Sequence, residues 1–256
     1  MGDWPKHGGV TAGAPDDRSP AGYPTGWYLT LTANAAANTM GSYTELIASV
    51  PFDACGILLD VNLGAQSRGY LMDIAIGAAG SEVVVVPTFP WGTFRSTGNP
   101  DQTIFIPLKI RAGSRVAARI QSTTGASVLQ VASCFLAESL SGIQPPSTWI
   151  AYGADTANSS GVAIATSGTP SAVQLTAATT ASGRWAFICM LNGGADDYEW
   201  DFLVGAQSVI KNLRSSMSSN PNAILIPWAI PGGSQLQAKV KSVNSTTVRG
   251  MVLVGS

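Results

Sequence analysis

The residues able to do chemistry are few and poorly placed for it. The single histidine, His7, lies in a Gly- and Pro-rich N-terminal stretch, far from any nucleophile it could activate, and a solvated or packed loop residue is the plain reading. The one acidic cluster is Asp196, Asp197, Glu199 and Asp201. Paired carboxylates can act as acid and base, and oxygen donors suit calcium or another hard cation. Without a Gly-punctuated ligand loop, this cluster reads as solvated acids around a turn, with Glu199 and Asp201 on one face of a strand. Asp73 and Asp201 sit alike inside apolar stretches. An unpaired carboxylate there would be costly, so each is expected to accept backbone or Arg hydrogen bonds that fix a turn. Cys55, Cys134 and Cys189 occur singly, without metal-ligand spacing, and read as buried reduced thiols. Trp91, Trp185, Trp200 and Trp228 could stack on sugars or bases, but each lies in or beside a strand where core packing is the commoner fate. The expectation is therefore no catalytic residues, no metal and no cofactor, and hence not an enzyme.

What positions these residues is a repeat. Ile106-Pro107-Leu108-Lys109-Ile110-Arg111-Ala112-Gly113-Ser114 recurs as Ile226-Pro227-Trp228-Ala229-Ile230-Pro231-Gly232-Gly233-Ser234, and the match runs on through Ser122 and Ser242. Val116, Ala118 and Ile120 alternate in phase with Leu236, Ala238 and Val240, the period of a half-buried strand. Upstream, Asp73-Ile74-Ala75-Ile76-Gly77-Ala78 matches Asp201-Phe202-Leu203-Val204-Gly205-Ala206. A looser block pairs Ser42–Leu59 with Ser171 to about Cys189. A duplicated module explains blocks in the same order whose offset changes only between strands.

Each copy reads as about seven short strands joined by Gly, Pro, Asn and Ser turns. In the first these run roughly from Thr44 to Val50, Gly56 to Val61, Tyr70 to Ile76, Glu82 to Val86, Thr103 to Ile110, Arg115 to Ser122 and Val128 to Phe135. No stretch has helical spacing. The expected fold is all-β: two tandem antiparallel β-sandwich modules of jelly-roll type, at 31–138 and 149–256. A polar linker is expected at 139–148 and an extended arm at 1–30. Ala79-Gly80-Ser81 and Ala112-Gly113-Ser114 look like tight hairpins. In the last strand, Thr247–Val254, only Arg249 marks a wet side, so either two layers or a partner must cover the remainder.

Only 11% of the residues are charged, against about 25% in typical soluble domains. So neutral a surface points to cover by other subunits, a homo-oligomer with a trimer favoured. With a net charge of −1 and scattered cations, no nucleic-acid or anionic-lipid partner is expected. No apolar run approaches the ~18 residues of a membrane helix, nor does the N-terminus have a signal-peptide layout. The segment Met1–Trp27 buries too little apolar area to fold alone. Trp4 and Trp27 are its candidate partner-binding anchors.

At Asp73-Ile74-Ala75-Ile76-Gly77-Ala78-Ala79-Gly80-Ser81-Glu82 and at Ile106–Arg119 the chain resembles a module of tailed-bacteriophage virion structural proteins. The second copy departs from that pattern, with Gly205-Ala206-Gln207-Ser208 in place of Gly77-Ala78-Ala79-Gly80, which puts its hairpin in doubt. The resemblance implies a non-enzymatic virion component assembled in the host bacterial cytoplasm. A capsid decoration or cement protein bracing neighbouring subunits of the major capsid protein comes first; a tail, baseplate or fibre protein, with host glycans as a further ligand, comes second. It carries over no catalytic residues.

Overall fold

The computed structural model describes residues 28–62, 68–92, 102–138, 144–191, 197–215 and 222–256. These form an all-β protein in which the short 3-10 turn Thr156–Asn158 interrupts the strands. The strands are β1 (Leu29–Thr32), β2 (Thr44–Ile47), β3 (Ala54–Asn62), β4 (Gly69–Ile76), β5 (Val83–Gly92), β6 (Gln102–Ile110), β7 (Val116–Ser122), β8 (Val128–Ala137) and β9 (Trp149–Tyr152). They continue as β10 (Ala154–Asp155), β11 (Ser160–Ala165), β12 (Val173–Thr176), β13 (Gly183–Leu191), β14 (Tyr198–Val204), β15 (Gln207–Ser215), β16 (Asn222–Ile230), β17 (Leu236–Lys241) and β18 (Thr247–Gly255).

Sheet I has the order β1-β8-β3-β6 and sheet II the order β2-β7-β4-β5. Sheet III runs β11-β18-β13-β16, with β10 on β11 and β9 on β18, and sheet IV runs β12-β17-β14-β15. The strand order of the first pair thus reappears in the second, and the named ladders are antiparallel. Irregularities recur as well. Register shifts fall between Glu45 and Ile47 and between Gln174 and Thr176, and again between Ala54 and Gly56 and between Gly183 and Trp185. Bulges are specific features of a sheet rather than noise, so their recurrence at matching positions goes further than shared strand order.

Alternation decides which side chains meet. In sheet I, Ile57, Leu59 and Val61 face inward; in sheet II, Tyr70, Met72 and Ile74 do so beside Val116, Ala118 and Ile120. In the second half Ala186, Ile188 and Met190 of sheet III meet Trp200, Phe202, Ala238 and Val240 of sheet IV. Trp200 and Phe202 lie nearly parallel, 5.9 Å between centroids.

Two turn expectations change. Ala112-Gly113-Ser114 is no hairpin but a corner that carries the chain from β6 in sheet I to β7 in sheet II. Gly113 holds φ +81° there and Gly233 holds φ +79° at the matching corner, a conformation that favours glycine. Each donates its N–H to a backbone carbonyl beyond the neighbouring edge strand, that of Val50 and of Thr179 respectively. The doubtful hairpin at Gly205-Ala206 is intact: Val204 pairs with Gln207 across a two-residue turn with Gly205 at φ +58°. Of the connection at 139–148, the described part bonds to both halves. Lys109 donates its N–H to the Pro146 carbonyl and Trp185 its indole N–H to that of Gln144.

Candidate interaction surfaces

Two of the acids noticed in the sequence, Asp73 and Asp201, hold the scaffold. Asp73 divides its two oxygens: Oδ1 accepts the Thr88 N–H at 2.8 Å, and Oδ2 accepts Nε and Nη2 of Arg119, both at 2.9 Å. Thr88 has φ +47°, an outlying conformation for a β-branched residue, and the β4–β5 register shifts on either side of Ile74. The carboxylate therefore clamps a bulge. Asp201 does the same in the second half, accepting the N–H of Asn212 (φ +56°) at 2.9 Å and pairing with Lys239 at 3.1 Å. Arg119 also lies over the Tyr43 ring, 4.6 Å from its centroid. Glu199 lies opposite Arg214 and Lys241 on neighbouring strands. Asp196 and His7 lie outside the described residues, as do Trp4 and Trp27. Among the described residues no three His, Cys, Asp or Glu side chains converge as a metal site would require. Cys55 and Cys189 are buried, Cys134 is half-buried, and burial pushes the Cys189 thiol far above its ordinary range.

The dry faces of β18 have a cover within the chain. Val248, Val252 and Val254 point into the second core, while Met251 and Leu253 point into the larger core of the first half. At this seam Phe187 of β13 meets Phe89 of β5 edge-on at 5.2 Å and Trp149 of β9 at 4.9 Å. Trp149, 2% exposed, donates its indole N–H to the Pro107 carbonyl of β6 at 2.8 Å. Nearby, Gln121 Nε2 donates to the Thr156 carbonyl and to Ser159 Oγ, which in turn donates to Asn38 Oδ1. The halves share a continuous apolar core closed by a satisfied polar latch, so relative motion of the two would break both. Sequence alternation showed that both faces of β18 were dry; it held no signal for what covered them.

Two surfaces stand out among the described residues. The outer face of sheet I carries Leu58, Phe105, Cys134 and Leu136, half-buried or, for Leu136, 39% exposed. Phe105 lies on the bare backbone of Gly56, where a Cβ would come within 2.3 Å of its ring. The second is an open groove of about 380 Å³ lined by Gln144, Pro145, Pro146, Arg184 and Trp185 among others. Of the four tryptophans singled out in the sequence, Trp91 and Trp200 are core residues, Trp228 is half-buried against the second core, and Trp185 flanks this groove.

No family model matches the chain, and no curated protein matches it in sequence. Among solved structures, it is similar over 89% of its length to 97% of the major capsid protein P2 of bacteriophage PM2, at 9% identity and a TM-score of 0.39. A structure of PNGF-II aligns over 90% of this chain and 65% of its own, at 9% identity and a TM-score of 0.40. The tandem CBM22 domains of Paenibacillus barcinonensis Xyn10C align over 90% and 86%, at 11% identity and 0.27. These are broad resemblances of β-rich chains and bear no weight for function, which must be argued from the surfaces above.

Proposed function

We propose that the chain is a non-enzymatic structural component of a tailed-bacteriophage particle, two copies of one β-sandwich module that decorate or cement a capsid by bracing neighbouring subunits. The carrying observation is the use made of the acids: Asp73 and Asp201, the strand carboxylates best placed for chemistry, are each spent on a backbone N–H and a cation at a bulge. The low charge and the apolar outer face of sheet I favour contact with other subunits. In this reading the arm, with Trp4 and Trp27 as anchors, reaches the major capsid protein or another virion protein, and the sandwiches lie over the joint. The test is quantitative: label the protein in purified particles and count copies on heads and tails. Hundreds of copies per head support the reading; tens or fewer, located on the tail, refute it.

One observation favours a second reading, a tail, baseplate or fibre part that binds host glycans. Trp185 beside Arg184 and Gln144 in an open groove offers a ring for stacking and polar groups for hydroxyls. Titration with bacterial surface polysaccharide, read against Trp185→Ala, separates the two: saturable binding lost in the variant supports the glycan reading.

A further inference from the structure

The seam between the halves is a joint whose two parts the duplication supplies twice. In the described strand order sheet I ends in β6 and sheet II in β5, so one flank of the first sandwich lies between two terminal strands; β16 and β15 end sheets III and IV in the same way. The outer face of sheet III plugs the β5–β6 flank. Phe187, Met251 and Leu253 enter the first core there, beside Phe89 of β5 and next to the bond from Trp149 to Pro107 of β6. With this plug in place Val86, Phe89, Ile106 and Leu108 are each at most 1% exposed.

Both parts of the joint recur. Ile74 and Met72 pair with Val86 and Phe89 as Phe202 and Trp200 pair with Ile210 and Leu213. Ile106 likewise falls on Ile226 by register, and Leu108 on Trp228 by the repeat. These four side chains of the second flank are half-buried where their counterparts are sealed. The plug recurs on sheet I, where Leu58 with its ladder partners Phe105 and Cys134 takes the places of Phe187, Leu225 and Leu253. This row too is half-buried, and Leu136 beside it is 39% exposed.

We propose that the outer face of sheet I in one copy of the chain seats on the β15–β16 flank of another, repeating the seam between molecules. A second copy is the occupant because the internal joint shows what fits such a flank: the outer face of this same module's sheet. Sizes change, with Trp228 in the place of Leu108 and Leu58 in that of Phe187, but both surfaces keep their apolar character. Around the flank Glu199 and Arg214 stand where Leu71 and Pro90 are covered in the first half, which gives the apolar centre the polar rim of a contact between subunits. Plug and socket are different surfaces, so each copy gives one and receives the other. Copies then join head to tail, and a ring forms where the rotation closes. The joint rests on the duplication and not on the virion reading, so the two stand or fall separately.

Leu58→Glu spoils the plug alone and Leu213→Glu the socket alone. In sedimentation velocity at micromolar concentration the unaltered chain is expected to assemble beyond one chain, and each variant to run at the mass of a single chain. An equimolar mixture of the two holds one sound plug and one sound socket per pair, and is expected to return a dimer and nothing larger. Assembly of the Leu213→Glu chain by itself would show plug faces meeting each other. An unaltered chain that stays single, or a mixture that does, would show no such joint; each of these results overturns the proposal. Leu213 also packs against the second core, so a milder change supplies a second measurement. A chain carrying Leu213→Cys and Cys134→Ser is mixed with the unaltered chain, treated with a short bis-maleimide and mapped by peptide mass spectrometry. A link from position 213 to Cys134 of the other chain is expected, and its absence refutes the joint.

Discussion

Asp73→Ala and Asp201→Ala remove the same device from two environments, and the structure says which costs more. The Asp73 side chain is 7% exposed, and its loss leaves Arg119, 31% exposed, and the Thr88 N–H without their acceptor. A hydrogen bond to a charged group contributes roughly 1.5 to 3 kcal/mol, and breaking a largely buried pair leaves an uncompensated charge, for a total near 3 to 5 kcal/mol. Asp201 is 19% exposed beside Lys239, 31% exposed, and water can replace part of what it gives, so about 1 to 2 kcal/mol is expected. At roughly 2 to 4 °C per kcal/mol for a chain of this size, Asp73→Ala should lower Tm by about 6 to 20 °C and Asp201→Ala by about 2 to 8 °C. Arg119→Ala added to Asp73→Ala should cost less than the sum of the two, because it deletes the stranded charge. Matched thermal melts followed by circular dichroism decide it. Equal losses at the two sites, or a larger one at Asp201, would refute the assignment of Asp73 as a buried clamp.

Trp149→Ala is expected to cost about 3 to 5 kcal/mol and to split one calorimetric transition into two, because the indole closes the seam between halves; a single, merely shifted transition counts against a shared core. Gly113→Ala and Gly233→Ala should each cost about 1 kcal/mol in urea titrations, from backbone conformation alone, since an added Cβ meets nothing within 4 Å at either corner. Glu82 is held below the usual glutamate range by its own backbone N–H first, then by Arg115 and the Gly80 N–H. The stability it contributes is therefore present above that range and lost as pH falls through its folded pKa. Glu82→Gln should flatten the acid limb of a stability-against-pH curve, and an unchanged limb would remove the group from the account.

Much of this fold could be read from alternation. Val116, Ala118 and Ile120 announce a strand with one buried face, and Leu236, Ala238 and Val240 announce its counterpart, because the pleat writes its period of two directly into the sequence. The second half of β5 was missed: Pro87 and Pro90 interrupt the apolar run, and only the Asp73 clamp on Thr88 explains how the strand continues past them. The corner at Gly113 was mistaken for a hairpin since a tight turn uses the same residues whether it returns to its own sheet or crosses to the facing one. The clamp itself was legible, as an acid inside an apolar strand demands partners. The aromatic seam was not, because the dryness of Phe187 and Leu253 looks the same whether the cover is a second molecule or a distant part of the same one.

Matching positions of the two halves have become chemically unlike where one is covered and the other open. Leu58 and Phe187 occupy the same place beside β8 and β18, yet Phe187 is sealed while Leu58 faces outward. Likewise Leu71, wholly covered, corresponds to half-exposed Glu199. Each half has in effect drifted toward the job its position gives it, and the two are no longer interchangeable parts. A chain with its halves exchanged in order would bring Glu199 and its cations to the dry seam and strand Phe187 and Leu253 in water. Such a circular rearrangement would keep every strand and every ladder yet lose the joint, which makes the direction of the chain, and not merely its two sandwiches, a property of the fold.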